Sequence, residues 1–180
     1  NRKVWNVNGS SNLLELRDRT KTHVLRRLKQ DILDLPEKII TPVYLNLKSK
    51  DYEALMGEYY DWMEDDREKK SLTVQFSMLM KVRQVIAENK IKETCEIVEN
   101  IIEQGKKVIV FTNFTDTLNR IVDHFGKKAV KLDGKMTKTA RQYSVDQFQE
   151  NDKIKVFVGN LKAAGVGITL TKAEAVVMND

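Results

Sequence analysis

Short apolar runs alternate with amphipathic segments from Lys106 onward. The runs "KVIVF", "AVKL", "KVFV" and "AVVM" have the length of buried strands. The segments "TDTLNRIVDHF" and "TKTARQYSVDQFQ" between them are typical of helices that bury one face. Strands that alternate with helices form βαβ units and a mostly parallel sheet. The pattern therefore predicts an α/β fold over 106–180, with a mostly parallel sheet flanked by helices.

The first 105 residues follow a different pattern, which predicts mainly helices and one strand. "KIITPVYLNL" alternates and is rich in β-branched residues, and Pro42 inside it predicts an edge strand because proline has no N–H donor. Aromatic and apolar residues from Tyr52 to Met63 share one face of a predicted helix. That stripe is more typical of core packing than of a base-stacking platform. Two more helical patterns follow and end at Gly105, which suits a helix C-cap.

The composition argues against some kinds of site but does not identify a function. The chain has 31 basic and 26 acidic residues and a formal charge of +5, which permits a nucleic-acid partner but does not show one. Cys95 is the single cysteine, so an internal disulfide is excluded, and its place on an apolar stripe predicts a buried, inert thiol. His23 and His124 have no Cys or His cluster around them, which argues against a structural zinc site.

Cysteine usage and hydropathy also predict the compartment. No apolar run approaches the roughly 20 residues of a membrane span, and the first residues are not those of a signal peptide. We therefore expect an intracellular protein, in the cytoplasm or nucleoid of a prokaryote or the nucleus of a eukaryote.

Candidate chemistry lies where the predicted strands end, because ligands of open parallel sheets bind beyond the carboxyl ends of the strands. Asn113 follows the first strand, Lys135 the second, and Asn160 and Lys162 the third. These residues offer amide or ammonium donors beside small neighbours, which suits a phosphate backbone. Ordinary polar turns are an equally open interpretation of the spacing alone.

The sequence contains no complete nucleotide-binding motif. "GKMT" lacks the upstream glycine and the following hydroxyl of a phosphate loop, and "GVGITL" lacks the third glycine of a dinucleotide fingerprint. No Ser-His-Asp or Cys-His grouping occurs, and turns or caps are the better interpretation of Asp133 and Asp180. If ATP is involved, this chain does not hold the triphosphate by itself.

Three ordered blocks resemble a known family. "KVIVFTNFTDTL", "KLDGKMTKTARQYSVDQFQ" and "VFVGNLKAAGVGITLTKAEAVVMND" are similar to successive signature blocks of the second RecA-like lobe of Swi/Snf-type helicase-like ATPases. Upstream, "NVNGSSNLLEL", "HVLRRLKQDILDLPEK" and "FSMLMKVRQVI" resemble the segments that join lobe one to lobe two, and they lean toward the annealing-helicase-like branch. The resemblance covers nearly the whole chain.

The resemblance implies a RecA-like three-layer lobe, with 1–105 as an inter-lobe segment packed on it and 106–180 as its core. It implies a parent DNA-dependent ATPase that translocates on double-stranded or branched DNA and binds ATP and Mg in the cleft between two lobes. It also implies roles for individual residues: DNA-backbone contacts at Asn113, Lys135, Asn160 and Lys162, a loop facing the ATP cleft at Gly165 and Gly167, and a brace between the lobes at Arg26 and Arg27.

The resemblance further implies that this chain is a fragment without lobe one and without the final arginine-containing block. We therefore expect no catalytic residue, no bound metal or cofactor and no ATPase activity in the chain alone. It departs from the family where Asn160-Leu161-Lys162 replaces Ser-Thr-Arg and where Lys135 replaces a hydroxyl residue. Two alternatives stay open, a non-catalytic α/β interaction module that docks a partner on the helix from Tyr52 to Trp62, and an RNA helicase lobe.

Overall fold

The computed structural model describes residues 10–25, 38–45, 50–64 and 72–180. They fall into two compact units, Asn1–Val43 and Tyr44–Asp180, which are described separately. The helices are α1 (Leu13–Thr20), α2 (Lys50–Glu64), α3 (Leu72–Asn89), α4 (Ile91–Glu103), α5 (Thr115–Phe125), α6 (Lys138–Glu150) and α7 (Leu161–Ala164). The strands are β1 (Val108–Thr112), β2 (Ala129–Leu132), β3 (Val156–Asn160) and β4 (Ala175–Met178).

The first unit contributes helix α1, which agrees with the mainly helical pattern predicted for the first 105 residues. An ion pair of 2.6 Å between Arg19 and Glu15 supports it across one turn, and none of its side chains is buried. The edge strand predicted from Lys38 to Leu47 is not formed in its described part, 38–45, which has no regular secondary structure. A strand needs a partner to bond with, and Pro42 removes one of the donors that a ladder would use. Arg26 and Arg27 lie outside the described residues.

The second unit is built on a four-stranded sheet in the order β2-β3-β1-β4, and every pairing is parallel. Val108 of β1 is the register partner of Val156 in β3 and of Ala175 in β4. Since successive side chains of a strand point to opposite faces, each central strand covers two cores. Four of the five residues in each of β1 and β3 are buried, which follows from this position between two helical layers.

Two apolar clusters lie on opposite faces of the sheet. One joins helices α4 and α5 to the even-numbered positions of the central strands, through Ile91, Cys95, Val98, Val108, Val110, Leu118, Ile121, Phe125, Val156 and Val158. The other joins α6 and the chain after β3 to the opposite face, through Ile109, Leu132, Phe148, Ile154, Phe157 and Ala164. The result is a three-layer α/β unit, as the alternation of strands and helices predicts.

Lys107 is a buried lysine directly before β1, with only 7% of its surface exposed. Its ammonium donates to the main-chain oxygens of Phe148, at 2.6 Å, and Asn151, at 2.9 Å. These carbonyls belong to the end of α6, where helices leave acceptors without intrahelical partners. Burial lowers the pKa of Lys107 from its ordinary value. The residue therefore fixes the end of α6 to the start of the central strand.

Helix α2 buries part of the aromatic stripe that the sequence predicted. Tyr52, Leu55, Met56 and Tyr59 are half-buried on one face, and Tyr59 packs edge-to-face against the exposed Tyr60 with ring centres 5.9 Å apart. Helices α2 and α3 pack against each other. Among the described helices, none combines the length and the apolar character that crossing a membrane requires.

We predict that the Cys95 thiol is protected from modification in the folded chain. Burial, with a smaller contribution from the Glu99 carboxylate, raises the pKa of Cys95 to about 11. A thiol two units above the ordinary value has about 100-fold less of the reactive thiolate near pH 8. A disulfide reagent should therefore label Cys95 at least about 100-fold more slowly in the native chain than in urea. Equal rates in the two states would show that the thiol is accessible.

Candidate nucleic-acid interface

The carboxyl ends of the four strands meet at one edge of the sheet. There β1 is followed by Asn113, β3 ends in Asn160, and β4 is followed by Asn179 and Asp180. The chain leaves β1 toward helix α5 on one face and leaves β3 toward the opposite face, where it packs with α6. Neighbouring strands whose connections diverge in this way open a crevice between them, and open α/β sheets bind ligands there.

Asn113 and Asn160 bridge the two strands that border this crevice. Thr112 and Asn160 are register partners, and the Asn160 Nδ2 donates to the main-chain oxygen of Asn113 at 2.9 Å. The Asn160 Oδ1 accepts from the main-chain N–H of Lys162 at 3.1 Å, and Asn160 is thereby the N-cap of α7. One asparagine side chain thus fixes both the β1–α5 turn and the first turn of α7.

Asp180 holds the other side of the β1–α5 turn. Its carboxylate accepts from the main-chain N–H of Asn113 at 2.9 Å and from the Asn113 Nδ2 at 2.6 Å. Arg83 of α3 lies 3.7 Å from the same carboxylate, whose side chain is only 3% exposed. A buried carboxylate needs such partners, because burying an ionised group without them is costly.

Asn179 connects the end of β4 to helices α3 and α4. Its side chain is 1% exposed. The Asn179 Oδ1 accepts from the Thr94 hydroxyl at 2.7 Å, and its Nδ2 donates to the main-chain oxygen of Ala87 at 2.9 Å. Its main-chain N–H donates to Phe111 of β1 at 3.0 Å. The buried amide group therefore fixes two helices against the strand ends.

Lys135 lies on a tight turn after β2. The Asp133 Oδ1 accepts from the main-chain N–H groups of Lys135, at 2.8 Å, and Met136, at 3.2 Å. The Arg141 guanidinium closes the turn from α6 by donating to the main-chain oxygens of Gly134 and Met136. The interpretation of Asp133 as a turn residue is confirmed, and the exposed Lys135 side chain has no ion pair within the described part of the chain.

The end of β3 and the chain that follows it need small residues for three separate reasons. A Cβ at Gly159 would lie 2.7 Å from the Ala164 Cβ, and one at Gly165 would overlap the Leu161 main-chain oxygen. Gly167 instead has open space around it and a φ of +76°, which side chains other than glycine rarely adopt. Internal packing at Gly159 and Gly165 and backbone conformation at Gly167 therefore explain these glycines without a bound ligand.

Comparison with known proteins decides what kind of lobe this is. The sequence profile of the helicase conserved C-terminal domain matches residues 89–180, just over half of the chain. The chain belongs to the helicase conserved C-terminal domain family. Swi/Snf-type ATPases are its relatives within that family.

Two sequences and one solved structure illustrate the similarity. An uncharacterized ATP-dependent helicase of Mycoplasma pneumoniae is 31% identical over 92% of the chain, and the mouse DNA annealing helicase and endonuclease ZRANB3 is 24% identical over 98%. The chain spans only 18% and 17% of the lengths of these relatives. The Sulfolobus solfataricus SWI2/SNF2 ATPase core in complex with dsDNA superposes with a TM-score of 0.70 at 27% identity, covering 93% of this chain and 41% of that one.

These matches confirm the expected family, including its resemblance to annealing helicases, and the RecA-like lobe. The described lobe has a four-stranded parallel sheet between helical layers, and the superposition covers 93% of the chain. These matches do not establish the roles of the predicted site residues, because a match of fold and family assigns no contact to an individual side chain.

The helicase domain brings together three of the four predicted DNA contacts. Asn113, Asn160 and Lys162 form one hydrogen-bonded group at the β1–β3 crevice. Lys135 lies at the same edge on the turn after β2. Gly165 and Gly167 follow α7. The predicted contacts therefore share one edge of the sheet.

Sequence reasoning missed the residues that hold this edge in place. Arg83, Thr94 and Asn179 gave no signal, because their partners lie 85 or more residues away along the chain. Asp180 was interpreted as a turn or cap residue, whereas it closes a contact with Asn113 that spans 67 residues. Only its position directly after a predicted strand could have indicated a role at the strand ends.

The helicase domain does not hold the elements of a complete ATP and Mg site. Within the described ranges, no group of three or more His, Cys, Asp or Glu side chains is placed to bind a metal ion. The sequence also has no phosphate loop. The residues present therefore do not fit a resident ATP–Mg complex by themselves.

Replacing Gly167 by alanine should destabilise the domain by about 1–2 kcal/mol, because the new Cβ is strained at positive φ. Gly134→Ala is the matched control, since Gly134 has open space around it and no positive φ. Urea unfolding of both variants measures the difference. Equal stability of the two variants would mean that residue 167 leaves the left-handed conformation without cost.

Proposed function

We propose that this chain is the C-terminal ATPase lobe of a DNA-dependent ATPase that translocates on double-stranded DNA, and that its strand-end edge contacts the DNA backbone. The observation that carries the proposal is the pair of exposed lysines, Lys135 and Lys162, on turns that the fold holds at one edge of the sheet. The similar SWI2/SNF2 core was solved in complex with dsDNA, which supports double-stranded DNA as the partner.

At this edge the lysines supply positive charge and the asparagines supply hydrogen-bond donors. Neither ammonium group has an ion-pair partner in the described part of the chain, so both are free to neutralise phosphates. Asn113 and Asn160 each use one amide hydrogen internally and keep a second for a phosphate oxygen. Contacts of this kind position a protein on DNA without reading its sequence. That property suits a motor that moves along any duplex.

The remaining roles belong to the assembled ATPase. We assign Gly165 and Gly167 to a loop that forms one wall of the inter-lobe ATP cleft, because they follow α7 at the strand-end edge. We assign 1–105 to the inter-lobe segment, with Arg26 and Arg27 as its brace, and 106–180 to the lobe core. Within this segment, α4 packs on the sheet, which supports placing that helix against the lobe. ATP and Mg would be bound together with the N-terminal lobe.

A salt series tests the proposal with the wild-type chain. We expect weak binding to a fluorescent DNA duplex, with a slope of log affinity against log salt steeper than about −1.8, because each neutralised phosphate contributes about −0.9. The same chain should hydrolyse no ATP with or without DNA. A flat salt response, or DNA-stimulated turnover by the chain, would contradict the proposal. A duplex of RNA bound more tightly than DNA would support an RNA helicase lobe instead.

A further inference from the structure

Helix α3 contacts the candidate interface through the Arg83 side chain, in addition to the Ala87 carbonyl that accepts from Asn179. Arg83 lies 3.7 Å from the Asp180 carboxylate, and its side chain is 43% exposed whereas that of Asp180 is 3% exposed. The other partners of the carboxylate are the two N–H donors of Asn113. A single buried carboxylate therefore joins a helix outside the sheet to the turn that follows β1.

The polar contacts continue from that turn to α7. The main-chain oxygen of Asn113 accepts from Asn160, and Asn160 accepts from the main-chain N–H of Lys162. An unbroken series of contacts thus runs from α3, through Asp180 and Asn113, to the first turn of α7. Arg83 and Asp180 form an ion pair, and the links from Asp180 to Lys162 are hydrogen bonds with fixed donors and acceptors, so a shift at one end changes the geometry at the other.

We propose that Arg83 and Asp180 are positioning residues for DNA binding. They hold the β1–α5 turn, and through Asn113 and Asn160 the backbone that carries Lys162, in the arrangement that meets a phosphate backbone. This proposal rests on the proposed function of the strand-end edge. It adds that the arrangement depends on where α3 lies, because Arg83 is the contact of α3 with the Asp180 carboxylate.

The two residues must act through the turn in different ways. Asp180 is negatively charged and buried, so it is not itself a ligand for phosphate. Arg83 is cationic and partly exposed, and a direct contact with DNA is the competing explanation for any effect of its replacement. The test therefore has to separate action through Asp180 from direct contact.

A double-mutant cycle makes that separation. Arg83→Gln and Asp180→Asn should each weaken duplex binding by about 3- to 10-fold, which lies in the lower part of the range of coupling between contacting residues. Arg83→Gln should have no further effect in the Asp180→Asn background. An Arg83→Gln effect of the same size in both backgrounds would overturn the proposal and identify Arg83 as a direct DNA contact. Lys81→Gln is the matched control, because Lys81 is an exposed cation on the same helix.

Amide hydrogen exchange in the free chain separates this proposal from the proposed function. Arg83→Gln should speed exchange of the Asn113 N–H by at least about threefold, because its acceptor Asp180 loses a partner. Lys81→Gln should leave that rate unchanged. An unchanged Asn113 rate in Arg83→Gln, with DNA binding intact, overturns the positioning proposal alone. Faster exchange in a chain that binds no DNA overturns the proposed function alone and supports the link between α3 and the turn.

Discussion

Replacing both Lys135 and Lys162 by glutamate should weaken duplex binding by at least about 60-fold near 0.1 M salt. Each phosphate contact contributes about −0.9 to the slope of log affinity against log salt, so two contacts contribute about −1.8. Between 1 M and 0.1 M salt this slope corresponds to a factor of 10 raised to 1.8, which is about 60. The slope of log affinity against log salt should become shallower by about 2. Fluorescence anisotropy across a salt series measures both quantities.

The matched control changes the same charge at the opposite edge of the sheet. Lys127 and Lys128 are exposed residues of the short turn that precedes β2, at the amino ends of the strands. Lys127→Glu/Lys128→Glu changes the net charge by the same amount as Lys135→Glu/Lys162→Glu. It therefore measures the effect of net charge on DNA binding when the strand-end edge is unchanged. We expect this variant to keep the wild-type slope to within about 0.5, because only contacted phosphates release counterions. Equal losses in both double variants would show that general attraction, and not the strand-end edge, binds the DNA.

Replacing Asn179 by leucine should lower the free energy of unfolding by about 2–6 kcal/mol. The leucine leaves the Thr94 hydroxyl and the Ala87 carbonyl without their partner in a buried place, and each unsatisfied group costs about 1–3 kcal/mol. A domain of this size has only about 5–15 kcal/mol of stability, so the loss is a large share. Urea unfolding measures the change.

Two variants make the Asn179 result specific. Asn100→Leu places the same substitution on an exposed position of α4 and should change stability by no more than about 0.5 kcal/mol. Thr94→Val removes the hydroxyl that donates to Asn179. The stability losses of Thr94→Val and Asn179→Leu should therefore sum to more than the loss measured for the Thr94→Val/Asn179→Leu double variant. A loss below about 1 kcal/mol for Asn179→Leu would mean that water replaces the buried contacts.

The sequence predicts the strands and helices of the lobe well, because their periodicity is local. "AVKL" and "AVVM" coincide with β2 and β4. The third run was predicted to end at Val158, whereas β3 continues through Gly159 and Asn160. Glycine and asparagine are typical of turns, but here pairing with β1 keeps them extended.

The sequence could not predict the contacts that hold the site together. The strand order depends on how the helices cross the sheet, and a list of strands does not contain it. Lys107 belonged to a predicted buried run although lysine is seldom buried, and only the end of α6 explains its place. The contact between Asn113 and Asp180 joins the turn after β1 to the residues that follow β4, 67 residues further along the chain. Such pairs depend on the tertiary fold, whereas the lysines stood out by their position after a strand.

Mapping the DNA-binding surface by amide chemical shifts tests the central claim most directly. A short duplex is added in steps to the isotope-labelled wild-type chain, and the shift of every amide is followed. We predict the largest changes in the turns that follow the strands, at 113–114, 134–135 and 160–162, and small changes at 126–128 and 153–155. The largest changes at the amino edge of the sheet, or on helix α2, would contradict the placement of the DNA backbone at the strand-end edge.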